Sequence, residues 1–238
     1  MIRCKKVSKT YGSALNRVVA LDQLEIQIDS LEKVAIVGRS GSGKTTLLNL
    51  LSGLDRPTSG SLSVNGMDLG QLDSAAMADY RLKTVGVVFQ SFQLISQRTA
   101  AQNVELPLII AGEPAEVRAK KVSQSLRKVG LGDRANHFPY QLSGGEQQRV
   151  AIARAVVKQP RVMLADEPTG NLDSKTAAEI MQLLMQICEN EALTLVLITH
   201  DLELAGKYTD RQLVMDDGKL IETKSGQNGT VAASVDCP

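Results

Sequence analysis

Gly38-Arg-Ser-Gly-Ser-Gly-Lys-Thr45 is the stretch of this chain that decides its fold. The apolar run 34–37 precedes it and Leu47-Leu-Asn-Leu-Leu51 follows it, which is the strand–loop–helix context of a phosphate-binding P-loop. Glycines let backbone N–H groups curl around a phosphate, and the N-terminus of the next helix adds about half a positive charge. We expect Lys44 to reach the β- and γ-phosphates of a nucleotide, and Thr45 to offer its hydroxyl to Mg²⁺. The structural alternative, a glycine-rich turn with a surface lysine, fits this context poorly.

Four apolar runs rich in β-branched residues predict buried parallel strands at 33–37, 84–89, 161–165 and 193–199. Each run is followed at once by polar residues of distinctive chemistry, namely the P-loop, Gln90, Asp166-Glu167 and His200-Asp201. In open α/β sheets ligands bind beyond the carboxyl ends of the strands, so we expect these four termini to face one site. The first thirty residues alternate apolar and polar, which predicts antiparallel strands, and 60–66 reads as a short strand ending in an Asn-Gly turn.

Asp166 and Glu167 are candidates for metal binding and for base catalysis. Asp166 ends an apolar strand, where a carboxylate is costly to bury unless it meets a cation, so it is predicted to serve Mg²⁺ directly or through an intervening ligand. Glu167 is predicted to point to the other side of the strand end, as a general base or a group that orients an attacking water. A paired structural carboxylate is the alternative for Glu167.

Leu142-Ser-Gly-Gly-Glu-Gln-Gln-Arg149 is the third informative string. Ser143 and Glu146 have the spacing of a capping box before an apolar helix, so a well-capped helix is the structural alternative. Two glycines in a first turn are locally unfavourable, and they suggest that a ligand approaches the backbone there. A helix N-terminus with a serine and bare amides is a second candidate phosphate site.

Together the three strings resemble the ATP-binding subunit of an ABC transporter, over about residues 1–224. The resemblance implies an α/β P-loop NTPase with a mainly parallel core sheet, an antiparallel β subdomain and a helical subdomain inserted at about 91–140. Helical patterns at 112–129 and 174–191 agree with it, the second with Ile180, Leu183, Leu184 and Ile187 as its buried stripe. Residues 225–238 are small and polar and are expected to form a flexible tail.

The resemblance also implies the cofactors ATP and Mg²⁺ and a head-to-tail homodimer in the ATP-bound state, with ATP between one P-loop and the partner's Leu-Ser-Gly-Gly string. Implied catalytic residues are Glu167, His200, Lys44 and Gln90, and implied Mg²⁺ ligands are Thr45, Gln90 and Asp166. Implied ATP contacts are Tyr11, Gly38, Arg39, Ser40, Gly41, Ser42, Gly43, Lys44, Thr45 and Thr46, with Ser143, Gly144, Gly145, Glu146 and Asp173 contributed by the second copy. Tyr11 would stack on adenine, and Asn171-Leu172-Asp173 would be the D-loop that meets the other copy.

Three further strings resemble the lipoprotein-releasing and macrolide-export branch: Asp55-Arg-Pro-Thr-Ser-Gly60, Thr99-Ala-Ala-Gln-Asn-Val-Glu-Leu-Pro107 and Ala165-Asp-Glu-Pro-Thr-Gly-Asn-Leu-Asp173. Two residues depart from the family pattern, Leu31 where a glycine is usual and Gln102 where a glutamate is usual. Lys44 and Ser143 are 99 residues apart (143 − 44), too close for the long coiled coils of chromosome-associated or repair ABC proteins. A translation-type protein would carry two cassettes. A cell-division-type ATPase that regulates a membrane partner stays open.

Composition limits the kinds of partner and the cellular setting that we expect for this chain. A net charge of +1 over 238 residues argues against a nucleic-acid binder, and three scattered cysteines indicate a reduced, cytosolic setting. No uncharged apolar stretch approaches the ~20 residues that span a bilayer, so we expect no direct membrane insertion. A separate transmembrane permease is expected, with this chain cytoplasmic and peripheral on the inner face of the plasma membrane. Phe92, Leu94 and Ile95 are predicted to receive the permease, whereas Leu106 and Leu108 are expected to fill the helical core.

Overall fold

The computed structural model describes residues 1–12 and 16–225 of the chain. The tail expected at 225–238 therefore lies, beyond Ser225, outside the described residues. In chain order the strands and helices are β1 (Ile2–Tyr11), β2 (Val18–Ile28), β3 (Lys33–Val37), α1 (Lys44–Leu51), β4 (Ser59–Val64), β5 (Met67–Asp68), α2 (Ser74–Lys83), β6 (Val85–Phe89), α3 (Ala100–Ile110), α4 (Ala115–Lys128), α5 (Gly144–Val156), β7 (Val162–Asp166), α6 (Ser174–Asn190), β8 (Thr194–Thr199), α7 (Leu202–Tyr208), β9 (Arg211–Asp216) and β10 (Lys219–Ser225).

The central sheet has the strand order β10-β9-β3-β8-β7-β6, and only β10 runs antiparallel to its neighbour. The four strands predicted from their β-branched runs are β3, β6, β7 and β8, each within one residue of its predicted limits. Both faces of the sheet are covered: along β8, Leu195 and Leu197 enter one apolar cluster, and Val196 and Ile198 enter another. This is why these strands read as continuous apolar runs and not as alternating ones.

A second sheet, ordered β2-β1-β4-β5, is antiparallel throughout and confirms the alternation predicted for the first thirty residues. Its apolar face packs with α1 and one face of the central sheet. The predicted Asn-Gly turn joins β4 to β5, with Asn65 and Gly66 both in the left-handed region that such a turn requires. The α/β fold with a mainly parallel core sheet and an antiparallel subdomain is thus confirmed.

Helices α3 and α4 follow the carboxyl end of β6 and pack with α5 and α6 around the apolar cluster that contains Leu195 and Leu197. The predicted stripe of α6 is buried, since Ile180 and Leu184 are 0% exposed and Leu183 and Ile187 are nearly so. Gln102 closes a capping box with Thr99: the Thr99 N–H donates to Gln102 Oε1, and the Gln102 N–H donates to Thr99 Oγ1. A glutamine therefore makes the same local contacts that the usual glutamate would. Within the described ranges, no helix combines the length and apolar character needed to cross a bilayer.

Leu31 explains why glycine is usual at its position. Its φ is 68°, in the left-handed region, and its side chain is 59% exposed. Its N–H donates to Thr194 Oγ1 at 2.9 Å, which ties the turn before β3 to the start of β8. An exposed leucine in this conformation pays a steric cost of about 1–2 kcal/mol, which little burial offsets.

Leu31→Gly is expected to raise the free energy of unfolding by about 0.5–1 kcal/mol. The relief of left-handed strain, about 1–2 kcal/mol, exceeds the extra chain entropy of glycine, about 0.4–1 kcal/mol. Urea unfolding measures the change, with Leu31→Ala as the matched control because alanine removes the side chain without relieving the strain. Equal stability of the two variants would contradict the strain assignment.

Candidate active site at the carboxyl edge of the central sheet

The register of the parallel strands aligns their carboxyl ends. Val37 pairs with Thr199, Ile198 with Asp166, and Asp166 with Phe89, so β3, β8, β7 and β6 end at the same edge. The residues that follow these ends are Gly38, His200, Glu167 and Gln90. The four polar termini predicted to face one site therefore lie at the same edge of the sheet.

The P-loop connects β3 to α1 and bends at two exposed or half-buried glycines. Gly41 and Gly43 have φ of 83° and 98°, and a Cβ on Gly43 would lie 2.6 Å from the carbonyl oxygen of Ala20. Gly43 is the N-cap of α1 and offers no side-chain cap, so the first-turn N–H groups at Lys44, Thr45 and Thr46 lack a capping partner from their own N-cap. Backbone donors at a helix N-terminus are the groups that bind phosphate.

Lys44 lies folded back on its own loop. Its Nζ donates to the carbonyl oxygens of Gly38 at 2.7 Å and Arg39 at 2.8 Å, and it lies 3.4 Å from Ser42 Oγ. Burial lowers the pKa of Lys44, while the charges of Glu167 and Asp166 act in the opposite direction. The ammonium is thus held among carbonyl oxygens, and the charges of the Glu167 and Asp166 carboxylates act on it.

Asp166 is half-buried at the end of β7, and burial raises its pKa, assisted by the neighbouring charge of Glu167 and opposed by Lys44. A carboxylate whose charged form is disfavoured gains from a cation. The three predicted ligands supply a hydroxyl oxygen (Thr45), an amide oxygen (Gln90) and a carboxylate (Asp166), all hard oxygen donors that suit Mg²⁺. The chemistry of these residues therefore fits the metal.

Glu167 contacts His200 directly. One carboxylate oxygen, Oε1, lies 2.7 Å from His200 Nδ1 and accepts the backbone N–H of His200 at 3.1 Å. Glu167 itself has φ 46°, a left-handed conformation that turns it away from the line of β7, and its N–H donates to the carbonyl of Ile198. The side chain of His200 is 75% exposed, whereas that of Glu167 is 19% exposed. The pair places a carboxylate and an imidazole together, and the charge of the carboxylate acts on the P-loop lysine.

Gln90 is hydrogen-bonded to Asn171, the first residue of the D-loop. Its Nε2 donates to Asn171 Oδ1 at 3.3 Å, and Asn171 Nδ2 donates back to the carbonyl oxygen of Gln90 at 3.1 Å. Sequence reasoning assigned Asn171 only to the D-loop and missed this pair, because the two residues are 81 positions apart. Only the adjacency of β6 and β7 brings them together.

The Leu-Ser-Gly-Gly string forms the predicted capping box at the start of α5. The Ser143 N–H donates to Glu146 Oε2 at 2.8 Å, and the Glu146 N–H donates to Ser143 Oγ at 3.3 Å. The hydrogen bond from the Ser143 backbone is the largest cause that lowers the pKa of Glu146. Ser143 remains exposed at the helix N-terminus, where its hydroxyl can still donate to a phosphate.

Side-chain packing explains why glycine occupies positions 144 and 145, which the sequence alone did not reveal. A Cβ on Gly145 would lie 2.5 Å from Thr176 Cγ2, and one on Gly144 would lie 3.2 Å from Leu172 Cδ2. Packing of α5 against the D-loop and α6 therefore already requires small residues. The two glycines are therefore weaker evidence for a bound ligand than the sequence suggested. The exposure of Ser143 at the cap is a separate observation and still stands.

Asp173 and Tyr11 have partners within this chain. Asp173 caps α6, accepting the N–H groups of Lys175 and Thr176 and the Thr176 hydroxyl. The hydroxyl of Tyr11 donates to Asp55 Oδ2 at 2.9 Å, and Lys9 Nζ lies 4.9 Å from the centre of its ring. Tyr11 is 38% exposed, so part of its ring is available to stack on a base. Neither set of contacts conflicts with the predicted roles.

Gln148 and Arg154 on α5 were also missed by sequence reasoning. The amide nitrogen of Gln148, which is fully buried, donates to the carbonyls of Pro168 at 2.6 Å and Phe89 at 3.4 Å. Arg154 donates to the carbonyls of Phe92 at 2.9 Å and Gln93 at 2.6 Å. For Arg154 the available signal was a long polar residue in the otherwise apolar stretch 150–157, whereas Gln148 stands among polar residues and gave no such signal. Together they anchor the ends of β6 and β7 and the loop after Gln90 to α5.

Comparisons with known proteins agree with this geometry. The family model for ABC transporters matches residues 21–170. The lipoprotein-releasing system ATP-binding protein LolD of Syntrophotalea carbinolica is 47% identical over 221 residues, covering 92% of this chain and 96% of that protein. The macrolide export ATP-binding/permease protein MacB of Rhodospirillum rubrum is 43% identical over 222 residues, covering 93% of this chain and 34% of that protein.

A solved structure of similar fold is a dimeric ATP-binding cassette in a post-hydrolysis state, bound to ADP and Pi. Its TM-score is 0.86 at 41% identity, and the match covers 94% of this chain and 98% of that one.

Lys44→Ala is expected to weaken binding of ATP by about 10–100-fold, because a charge-assisted hydrogen bond to phosphate contributes about 1.5–3 kcal/mol. Titration with a fluorescent ATP analogue measures the loss, and hydrolysis should fall with it. Lys120→Ala, which removes an exposed lysine of α4, is the control and should bind as the unaltered chain does. Undiminished binding by Lys44→Ala would contradict the P-loop assignment.

Proposed function

The chain belongs to the ABC transporter family, and we propose that it is the ATP-hydrolysing subunit that powers a membrane exporter. The observation that carries this proposal is the shared edge at which the P-loop, Gln90, Asp166-Glu167 and His200 follow four aligned strands. LolD and MacB are named for lipoprotein release and macrolide export, which favours export over regulation of the cell-division type. Residues 1–224 would form the ATPase domain, with about 91–140 as its helical subdomain.

Phosphate binding begins with an exchange at Lys44. In the structure the ammonium donates to the carbonyl oxygens of Gly38 and Arg39. The β- and γ-phosphates would accept these hydrogen bonds in their place. The first-turn N–H groups of α1 would donate to the same phosphates. Mg²⁺, held by Thr45, Gln90 and Asp166, would neutralise charge on the phosphates. Arg39 and Ser40 are exposed on the outer part of the loop, where they can contact the nucleotide. Tyr11 would stack on the adenine.

Water attack would use the contact between Glu167 and His200. Glu167 Oε1 is the acceptor that can take a proton from water, and His200 holds that oxygen from two sides, through its backbone N–H and its ring. The ring is mostly exposed, so it can turn toward a γ-phosphate without losing burial. Catalysis of this kind consists of positioning and electrostatic stabilisation, with the carboxylate orienting the nucleophile.

A second copy would complete the site. Ser143 is the exposed N-cap of α5, Gly144, Gly145 and Glu146 form the first turn behind it, and Asp173 lies in the adjacent D-loop. A γ-phosphate on one copy would meet this terminus on the other, which requires a head-to-tail arrangement with twofold symmetry. The similar solved cassette is a dimer with ADP and Pi, which supports the same arrangement here.

Glu167→Gln is expected to slow hydrolysis about 10²–10⁴-fold, because the amide keeps the shape of the carboxylate but takes no proton from water. Two chains with uncleaved Mg-ATP should then remain closed as a dimer. Light scattering at saturating Mg-ATP measures this, and the same variant carrying Lys44→Ala should stay monomeric. A strictly monomeric Glu167→Gln would contradict the shared site.

The permease would dock in a groove of about 310 Å³ beside the loop after Gln90. Its apolar wall includes Val87 and Phe89 of β6, Leu54, Leu106 and Pro107. Leu108 is buried as predicted, but Leu106 lines the groove and does not fill the helical core. Leu94 is half-buried and packs partly against that core, and Ile95 stays 36% exposed. The groove adds a docking surface to the one predicted at Phe92, Leu94 and Ile95.

Three cations line the groove: Arg81, Arg154 and Lys158. Each donates to backbone carbonyl oxygens, Arg81 to Gly53, Arg154 to the loop after Gln90, and Lys158 to Arg81. Among the described residues of the lining none is acidic. Burial lowers the pKa of Lys158 to about 8. A permease segment with an apolar face and a carboxylate would fit this surface, and the complex would hold the chain on the cytoplasmic face of the membrane.

Attachment to membranes is expected to weaken as pH rises above about 8. A partner carboxylate pairs with the protonated form of Lys158, so affinity is constant below the free pKa and falls by up to about tenfold per pH unit above it. Lys158→Arg keeps its charge and should remove this dependence, while Lys158→Met should bind weakly throughout. The fraction retained on washed membranes measures attachment. Identical pH profiles for the unaltered chain and Lys158→Arg would exclude Lys158 from docking.

A further inference from the structure

The start of α5 carries a negative charge close to where the proposed function puts a phosphate. Glu146 Oε2 accepts the N–H of Ser143 at 2.8 Å, and this hydrogen bond is the largest of the causes that hold the pKa of Glu146 below its ordinary value. The carboxyl is therefore ionised at neutral pH. A phosphate on the Ser143 hydroxyl would lie within roughly 8 Å of it, about the Debye length at physiological salt, so the two charges would repel each other with little screening.

Arg134 is the cation that faces this carboxylate. Its Nε lies 3.5 Å from Glu146 Oε1, which is the oxygen that the capping box leaves free. Its Nη1 lies 3.4 Å from Nε2 of His137, so the imidazole adjoins the same ion pair. The charges of Arg134 and His137 also lower the pKa of Glu146. The carboxylate at the start of α5 is thus balanced by a guanidinium from the turn before it.

The backbone on either side of Arg134 is anchored. Its carbonyl oxygen accepts the N–H of His137 at 3.0 Å. The His137 carbonyl accepts the N–H of Ala100 at 2.8 Å, and the Ala135 carbonyl accepts the N–H of Ala101 at 2.9 Å. These bonds fasten the segment to the first turn of α3. The guanidinium of Arg134 therefore stays within reach of Glu146, although its side chain is 52% exposed.

The ion pair contributes little to the stability of a single chain. Both side chains are partly exposed, and exposed pairs gain little because water already solvates their charges. A second copy that covered the start of α5 would change this, since charge interactions strengthen where water is excluded. An unbalanced Glu146 would then oppose a phosphate most strongly in the closed dimer.

We propose that Arg134 neutralises Glu146 so that the start of α5 can accept the γ-phosphate held by a second copy. Arg134 is thus a positioning residue that acts through Glu146. This rests on the proposed function, since it requires that the Leu-Ser-Gly-Gly string meet the nucleotide of the other copy. With Arg134 present, the Ser143 hydroxyl and the positive end of the helix face the phosphate without a net opposing charge. Without Arg134, repulsion from Glu146 weakens the ATP-bound dimer.

Dimerisation of a chain that binds but does not cleave ATP tests this. In the Glu167→Gln chain, Arg134→Ala is expected to raise the Kd of the Mg-ATP-dependent dimer about 10–100-fold at low salt, because a twofold dimer contains the pair twice. The effect should shrink at about 0.5 M NaCl, where salt screens the charges. Arg134→Lys keeps the charge and should retain most of the affinity. Analytical ultracentrifugation measures the Kd.

Lys83→Ala is the matched control. It also removes one cation from an exposed ion pair, the one with Asp79 on α2, and should leave the dimer Kd as it is. The melting temperature of Arg134→Ala without nucleotide should change little, since exposed pairs add little to stability. A large fall in the melting temperature together with a loss of dimer that Arg134→Lys does not restore would show a structural role and overturn the proposal.

A double-mutant cycle with Glu146 separates charge neutralisation from every other role of Arg134. In a chain that also carries Glu146→Gln, Arg134→Ala should change the dimer Kd by about twofold or less, because the charge that it balances is gone. A tenfold effect that persists without the Glu146 charge would show that Arg134 acts on the nucleotide or the second copy directly, which contradicts the proposal.

Failure of the proposed function has a different result. If the Glu167→Gln chain forms no dimer with Mg-ATP, or forms it equally well when Lys44→Ala is added, the shared site is wrong and the role of Arg134 falls with it. If the dimer depends on Lys44 but forms as tightly with Arg134→Ala, the shared site stands and Arg134 does not serve it.

Discussion

The parallel register of β3, β8, β7 and β6 is the constraint on which the site depends. Hydrogen bonding between these strands fixes which of their last residues lie side by side. Each strand is followed, within one position of its end, by a predicted site residue. Because side chains alternate with a period of two, a slip of one residue would turn Asp166 and the buried set of its strand to the wrong faces. Burial on both faces of the sheet holds the register, since Leu195 and Val196 belong to different apolar clusters.

The sequence predicted what is local and missed what is distant. Strands β3 and β8 were readable because β-branched runs bounded by polar residues have few alternatives. Helix α2 carried no prediction, since only Met77 and Tyr80 of its ten residues are buried and its amphipathic pattern is weak. The capping box of Ser143 was readable from spacing, but the packing of Gly145 against Thr176 was not. Leu106 lines the groove and does not fill the helical core, because a short apolar run does not reveal which of its side chains face the core.

In the structure the reactive groups are satisfied by their own chain. Lys44 donates to P-loop carbonyls, Glu167 accepts from His200, and Gln90 pairs with Asn171. Lys44 and Glu167 are half-buried, and these contacts spare them part of the cost of about 1–3 kcal/mol that a buried group without a partner carries; Gln90 is exposed. In the proposed function, nucleotide binding would therefore be an exchange of hydrogen bonds. Its net free energy would then depend on charge, through phosphates and Mg²⁺ meeting Lys44 and Asp166.

Exchange of hydrogen bonds would also explain how binding of a partner in the groove can affect the loop that leads to Gln90. The groove cations are held by carbonyls in the same way as Lys44, and a stronger anionic acceptor could draw Arg154 from Phe92 and Gln93. That loop is strained and leads directly to Gln90, while the buried Gln148 ties the end of β6 and the turn at Pro168 to α5. Such an exchange would move the loops while these buried contacts hold the strand ends. Such a division between a rigid edge and exchangeable loop contacts is what lets binding at one surface change populations at another.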